Sequence, residues 1–169
     1  MKKFILLIYL VLYTTCIVSQ ENETTTYYFI RHAEKVRTDK TNKNPDLSKQ
    51  GNSRAENWSV VFETIDFDLI YSTNYNRTIQ TATPTALKKQ LKIQYYNPSN
   101  LYDADFKAKT KGKTVLIVGH SNTTPKFVND ILEKRVYEAI NDNNNDNLYI
   151  VTINGTIKNS TLLKIPHSK

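Results

Sequence analysis

Three short stretches of this sequence place side chains that could act together on one anion: "YYFIRHAEK", "LIYSTNYNRT" and "VLIVGHSNTTP". Each begins as an apolar run and ends in polar residues. The first ends in Arg31 and His32, the second in Ser72 with Arg77 one helical turn later, and the third in Gly119 and His120, followed by Asn122. Guanidinium forks match phosphoryl oxygens two at a time. Imidazole can attack phosphorus as a nucleophile. A histidine among guanidinium groups is pushed toward its neutral form by like charge, and only that form attacks. A zinc or two-metal site would need a further N, O or S ligand at suitable spacing, and none accompanies the histidine pair. Neither a metal nor another cofactor is expected.

The elements that must position these residues follow from hydrophobic period and punctuation. A β-prone strand covers 26–30. Ser48 caps a helix whose Ala55, Trp58, Val61 and Phe62 recur at helical spacing. A second strand covers 68–71, and Asn74 or Asn76 caps the next helix, which Pro84 should interrupt or kink. A third strand covers 92–96 and a short helix 102–109, ended by Gly112. The unbroken apolar run 114–118 reads as a central parallel strand. Pro125 suits the first turn of a helix running through Leu132. Strands 148–153 and 156–165 close the chain around an Asn154-Gly155 turn. The expected fold is α/β: a three-layer sandwich with a mostly parallel sheet, helices on both faces, and a C-terminal antiparallel hairpin. In such a sheet ligands sit beyond the carboxyl ends of the strands. The strand runs into Arg31 and His32 because its end is the floor of a shared anion pocket.

Composition narrows the class. Lys2 and Lys3 precede nine apolar residues, Phe4 to Leu12, and a more polar segment to Gln20. Residues 1–20 therefore read as a secretory signal, too short in its apolar run to span a bilayer. An uncleaved anchor or a lipid on Cys16 are the rivals, although Tyr13-Thr14-Thr15 poorly matches the lipoprotein pattern. Residues 21–169 form one domain. Cleavage would remove the only cysteine and, with Lys2 and Lys3, take the formal charge from +7 to +5. The mature protein is expected in the periplasm or outside the cell, without stable membrane association. Its modest cationic excess favours anionic ligands. The lysines are scattered, without an aromatic-interleaved stripe, so nucleic acid is not an expected partner. A small phosphorylated substrate is.

Four segments in order resemble the histidine phosphatase superfamily, the relatives of phosphoglycerate mutase and acid phosphatase. "IRHAEK" resembles the Arg-His-Gly signature, with Ala33 in place of Gly. "PDLSKQGNSRAENW" is similar to the family's first helix start, "IYSTNYNRTIQTATP" to the segment carrying the second arginine, and "VLIVGHSNTTP" to the second-histidine strand. The short chain resembles the compact branch that includes bacterial phosphohistidine phosphatases. The resemblance implies that His32 takes the phosphoryl group and that Arg31, Arg77 and His120 hold its oxygens, with water hydrolysing the intermediate. Two rival readings are a degenerate binding module that keeps the pocket without turnover, and a phosphomutase. The first is opposed by the retained His32, and the second by a chain too short to carry a covering cap.

The proton donor for the leaving group is the remaining role. In the phosphoglycerate mutase-like branch it follows the third strand, where this chain has "NPSNLYDADF". Asp103, beside Tyr102, is the choice over Asp105, whose carboxylate would suit the first turn of the following helix. Ser72, Asn122 and Thr123 could touch phosphate or merely cap helices. Trp58 and Phe62 read as core, Glu34 and Lys35 as an exposed ion pair, His167 as part of a solvated tail, and 141–147 as a solvated low-complexity loop.

Overall fold

The computed structural model describes residues 23–167. The reading of residues 1–20 as an export signal lies outside them. Strand β1 (Thr25–Arg31) is followed by helix α1 (Lys49–Val61), β2 (Leu69–Ser72), α2 (Asn76–Lys89) and β3 (Ile93–Tyr95). Helix α3 (Ala104–Thr110), β4 (Thr114–Gly119), α4 (Thr123–Leu132), β5 (Asn147–Asn154) and β6 (Ile157–Lys164) complete the chain. The six strands form one sheet in the order β3-β2-β4-β1-β5-β6. The first four strands in that order are parallel, whereas β5 runs antiparallel to β1 and β6 antiparallel to β5 at the sheet edge. This is the expected mostly parallel sheet with a closing hairpin.

Alternation along the central strands divides the core in two. Tyr27 and Phe29 of β1 and Val115 and Ile117 of β4 pack with Phe106 of α3 and Phe127, Val128 and Ile131 of α4. The alternate residues Ile30, Leu116 and Val118 face Trp58 and Phe62 and, on α2, Ala82 and Ala86. Apolar side chains on both faces explain why β4 reads as an unbroken hydrophobic run. Trp58 and Phe62 are core residues, stacked at 5.5 Å.

Several local details depart from the expectations. Helix α2 is capped by neither Asn74 nor Asn76: Tyr75 occupies the cap position with no side-chain bond. Pro84 sits inside α2 without ending it, and the helix continues to Lys89. The hairpin loop is Gly155-Thr156 rather than Asn154-Gly155, since Asn154 pairs with Ile157. Gly155 has φ +58°, placing glycine at the first loop position, where a type II′ turn needs it. Ser48 caps α1 as expected, accepting from the Gly51 N–H at 3.1 Å. Gly51 has a second reason to lack a side chain, because a Cβ there would lie 2.0 Å from the Glu34 carbonyl oxygen.

Candidate active site

Register brings the functional segments together. Arg31 pairs with Gly119 and Ser72 pairs with Val118, so β1, β4 and β2 end at one level. The His32 N–H carries the ladder one step further, donating to the Gly119 carbonyl at 2.9 Å. Gly119 lies in ordinary strand backbone; it is required because a Cβ would come within 2.7 Å of Tyr96 Oη and Thr124 Oγ1.

His32 is only 4 % exposed. Its Nδ1 lies 2.7 Å from the Ala33 carbonyl oxygen. A carbonyl only accepts, so Nδ1 carries the proton and Nε2 presents a lone pair. Burial chiefly holds its pKa down, to about 3; the Ala33 carbonyl pulls the other way, and the charges of Arg31, His120 and Arg77 add to burial. The backbone around it is fixed on two sides: the Ala33 N–H donates to Thr81 Oγ1 at 2.9 Å, and Asn145 Nδ2 donates to the His32 carbonyl at 2.7 Å.

The His120 ring lies 5.6 Å from that of His32, centre to centre. Its pKa is lowered to about 4, first by burial and then by Arg77, Arg31 and Lys35. Arg77 reaches His120 Nδ1 through Nη2 at 3.4 Å and stacks over the Tyr75 ring at 4.6 Å. Its Nε and Nη1 are buried without any hydrogen-bond partner. Orphaned buried donors on a cation are costly unless an anion arrives to meet them. Arg31 is differently used. Its Nη1 donates to the carbonyls of Asn141, Asp142 and Asn144, and its Nη2 to Asp142 Oδ1 at 2.7 Å, leaving Nε unpartnered.

Both arginines and both histidines line one cavity of about 310 Å³, together with Lys35, Asn122 and Asp142. Larger clefts exist, one of about 670 Å³ along α4, but its Lys126 and Arg135 are paired with Asp130 and Glu138. Chemistry, not volume, selects the site. Among the described residues no group of three or more His, Cys, Asp or Glu could hold a metal ion. No helix among them is long and apolar enough to cross a membrane.

Two expected site residues stand elsewhere. Asp103 caps α3: one carboxylate oxygen accepts from the Phe106 N–H at 2.8 Å and the other from Asn100 Nδ2 at 2.6 Å. It lines a separate cavity with Asp105 and Lys109. The first-turn N–H groups of a short helix need an acceptor, and the Asp103 carboxylate at the cap supplies it while Asp105 pairs with Lys109. Ser72 is fully buried and donates to the Thr73 carbonyl rather than lining the pocket. Asn122 does line it, and the Thr123 hydroxyl accepts from the His120 N–H. Glu34 and Lys35 do not pair with each other: Glu34 takes Arg54 at 2.7 Å, and Lys35 borders the cavity. The 141–147 tract is no mere solvated loop, since its carbonyls hold Arg31 and its Asn145 holds His32. Its polar composition gave no sign of that. Nor did spacing flag Thr73 and Thr78, which are fully buried behind His120.

Known proteins resemble this chain in one sequence segment and in fold. Residues 27–98 match the histidine phosphatase superfamily (branch 1). The fold matches that of the SixA protein of Agrobacterium tumefaciens, described as a candidate phosphohistidine phosphatase. That match has a TM-score of 0.58 at 18 % identity over 82 % of this chain and 97 % of that one. Bacillus stearothermophilus YhfR matches with a TM-score of 0.64 at 14 % identity, over 85 % and 98 % of the two chains. A phosphoglycerate mutase from Bacillus anthracis matches at 0.59 with 15 % identity, over 87 % and 95 %. No curated protein sequence matches significantly.

Proposed function

We propose that this chain, which has the histidine phosphatase fold and matches that superfamily over residues 27–98, is a phosphatase acting through a phosphohistidine on His32. The observation that carries the reading is the His32 ring. Its Nδ1 proton is tied to the Ala33 carbonyl, so the Nε2 lone pair is free inside a cage of Arg31, Arg77 and His120. In the first step Nε2 attacks phosphorus and the bond to the leaving atom breaks, its electron pair going to that atom. In the second, water attacks phosphorus, loses a proton, and the P–N bond returns its pair to Nε2. Arg77 and the remaining donors meet the charge that spreads over the equatorial oxygens.

The substrates are phosphate monoesters or phosphoamidates. Asp142 is the carboxylate beside the pocket, and hydrogen bonds from Arg37 and then Arg31 hold its pKa to about 2, so it stays ionised and gives no proton at neutral pH. That favours leaving groups that need no proton from the protein: aryl phosphates, which leave as phenolates, and phosphoamidates whose leaving nitrogen is already protonated from solvent. The SixA similarity, to a protein described as a candidate phosphohistidine phosphatase, points the same way. No metal ion takes part, and residues 1–20 direct export and are cleaved. A non-catalytic binding module would need the cations but no free Nε2, and a mutase would need its product retained. Hydrolysis of an aryl phosphate and a phosphoamidate should survive EDTA and stop with vanadate. Wild-type turnover by His32→Ala would overturn the reading. Intact Met1 on protein from the native host would overturn the export proposal.

A further inference from the structure

Behind His120 lies a short hydrogen-bonded chain that the chemistry above does not use. Its Nε2 is 2.9 Å from Thr73 Oγ1, which is 2.9 Å from Thr78 Oγ1. The Thr78 hydroxyl is in turn 2.9 Å from the carbonyls of Thr73 and Tyr75. Both threonines are fully buried, so no water competes for these bonds. The direction of every proton can be worked out. Arg77 faces His120 Nδ1 and has only donors, so Nδ1 must present its lone pair. The imidazole proton therefore sits on Nε2 and is donated to Thr73. Thr73 must then donate to Thr78, whose proton ends on a backbone carbonyl. The reverse order would set an Nδ1–H against an Arg77 N–H.

We infer that Thr73, backed by Thr78, is the positioning residue that accepts the His120 Nε2 proton and holds the ring in the tautomer that Arg77 sets, making Nδ1 the nitrogen that takes up and presents a proton to the phosphoryl oxygens. The inference rests on the phosphatase reading for its kinetic consequence, but not for the tautomer. While Arg77 faces it, Nδ1 has no proton to give. When an anion enters and draws Arg77 to itself, Nδ1 takes one proton from solvent and becomes a donor to the new oxygen, while Nε2–H stays on Thr73. Thr73 thereby stabilises the imidazolium, since its oxygen accepts from whichever charged or neutral form is present.

Two measurements separate the parts. Nitrogen-15 NMR of wild-type protein should show His120 as the Nε2–H tautomer without ligand, and inorganic phosphate should bring its Nδ1 into protonation at higher pH. Thr73→Val removes the acceptor of the Nε2 proton while Arg77 still faces Nδ1, so it should keep the Nε2–H tautomer but lower the pH at which phosphate brings Nδ1 into protonation, and Thr73→Ser should restore the wild-type behaviour. In aryl phosphate hydrolysis, Thr73→Val should lower kcat by about 10- to 100-fold, the loss expected for a hydrogen bond to a charged group. It should also move the alkaline limb of the kcat–pH profile to lower pH, with both changes reversed in Thr73→Ser. Thr78→Ala should produce a smaller shift of the same sign. An Nδ1–H tautomer in wild type, or a folded Thr73→Val with unmoved Nδ1 protonation and an unmoved pH limb, would overturn the inference. Absence of hydrolysis with the expected NMR result would count against the phosphatase reading alone.

Discussion

Replacing Arg77 with alanine separates a residue that serves the reaction from one that serves the fold. Among the described residues Arg77 has no carboxylate partner, and its Nε and Nη1 are buried and unsatisfied. Its contacts in the resting protein are the 3.4 Å approach to His120 and the Tyr75 ring. Loss of the cation–π contact costs ~0.5–1 kcal/mol. Against this, removing the charge relieves repulsion with Arg31, so net stability should change by no more than about 1 kcal/mol. The transition state loses far more. A fixed donor aimed at developing oxygen charge is worth ~2.7–4 kcal/mol, so kcat/KM should fall about 10²- to 10³-fold. Arg77→Lys keeps the charge but loses the fork and should fall between the two. The assay is initial-rate hydrolysis of an aryl phosphate, paired with urea unfolding of each variant. A rate loss under tenfold, or a stability loss of several kcal/mol, would show that Arg77 is a structural cation and refute the reasoning.

Three further outcomes follow from the geometry. The folded pKa values of His32 and His120 lie near 3 and 4, below the ordinary value of about 6.5, so the unfolded chain binds more protons between these limits. Stability contributed by the two neutral histidines is thus complete above pH 6.5 and lost as pH falls toward 3. Urea midpoints from pH 7 to 4 should fall less steeply in the His32→Ala/His120→Ala double variant, and an equal slope would contradict the assignment. Asp103→Ala should lose about 1 kcal/mol of stability by uncapping α3. It should leave the ratio of alkyl to aryl phosphate rates unchanged, and a selective loss of alkyl activity would return Asp103 to the proton-donor role. Gly51→Ala must displace the backbone at Glu34, two residues after the nucleophile, and should cost ~1–3 kcal/mol. A melting temperature equal to wild type would show that the close approach is relaxed at no cost.

The central strands were legible because both of their faces are buried. An unbroken run at 114–118 and the Tyr-Tyr-Phe-Ile run before Arg31 can form little else, and once those strands are adjacent their ends meet. Arg31, His32 and His120 are readable for that reason, each standing at or just past a strand end, and Arg77 because it lies in the first turn of the helix that follows β2. Asp103 is harder to place, because a carboxylate before a helix has two equally good uses, and sequence does not say which way the loop carries it. The Asn/Asp tract was read by its polarity, yet what matters in it are backbone carbonyls, which every residue type supplies. Thr73 and Thr78 left no signal either. Their function depends on hydroxyl directions that only the neighbouring guanidinium decides.

The most direct test of the account is to look for phosphorus on His32. Rapid quench of the protein with a labelled aryl phosphate, followed by peptide mass spectrometry under alkaline conditions, should recover an acid-labile, base-stable phosphate on the peptide containing His32. Its formation should match the turnover rate, and it should be absent from His32→Ala. Turnover with no trapped phosphopeptide at any time, or a label on another residue, would contradict the mechanism.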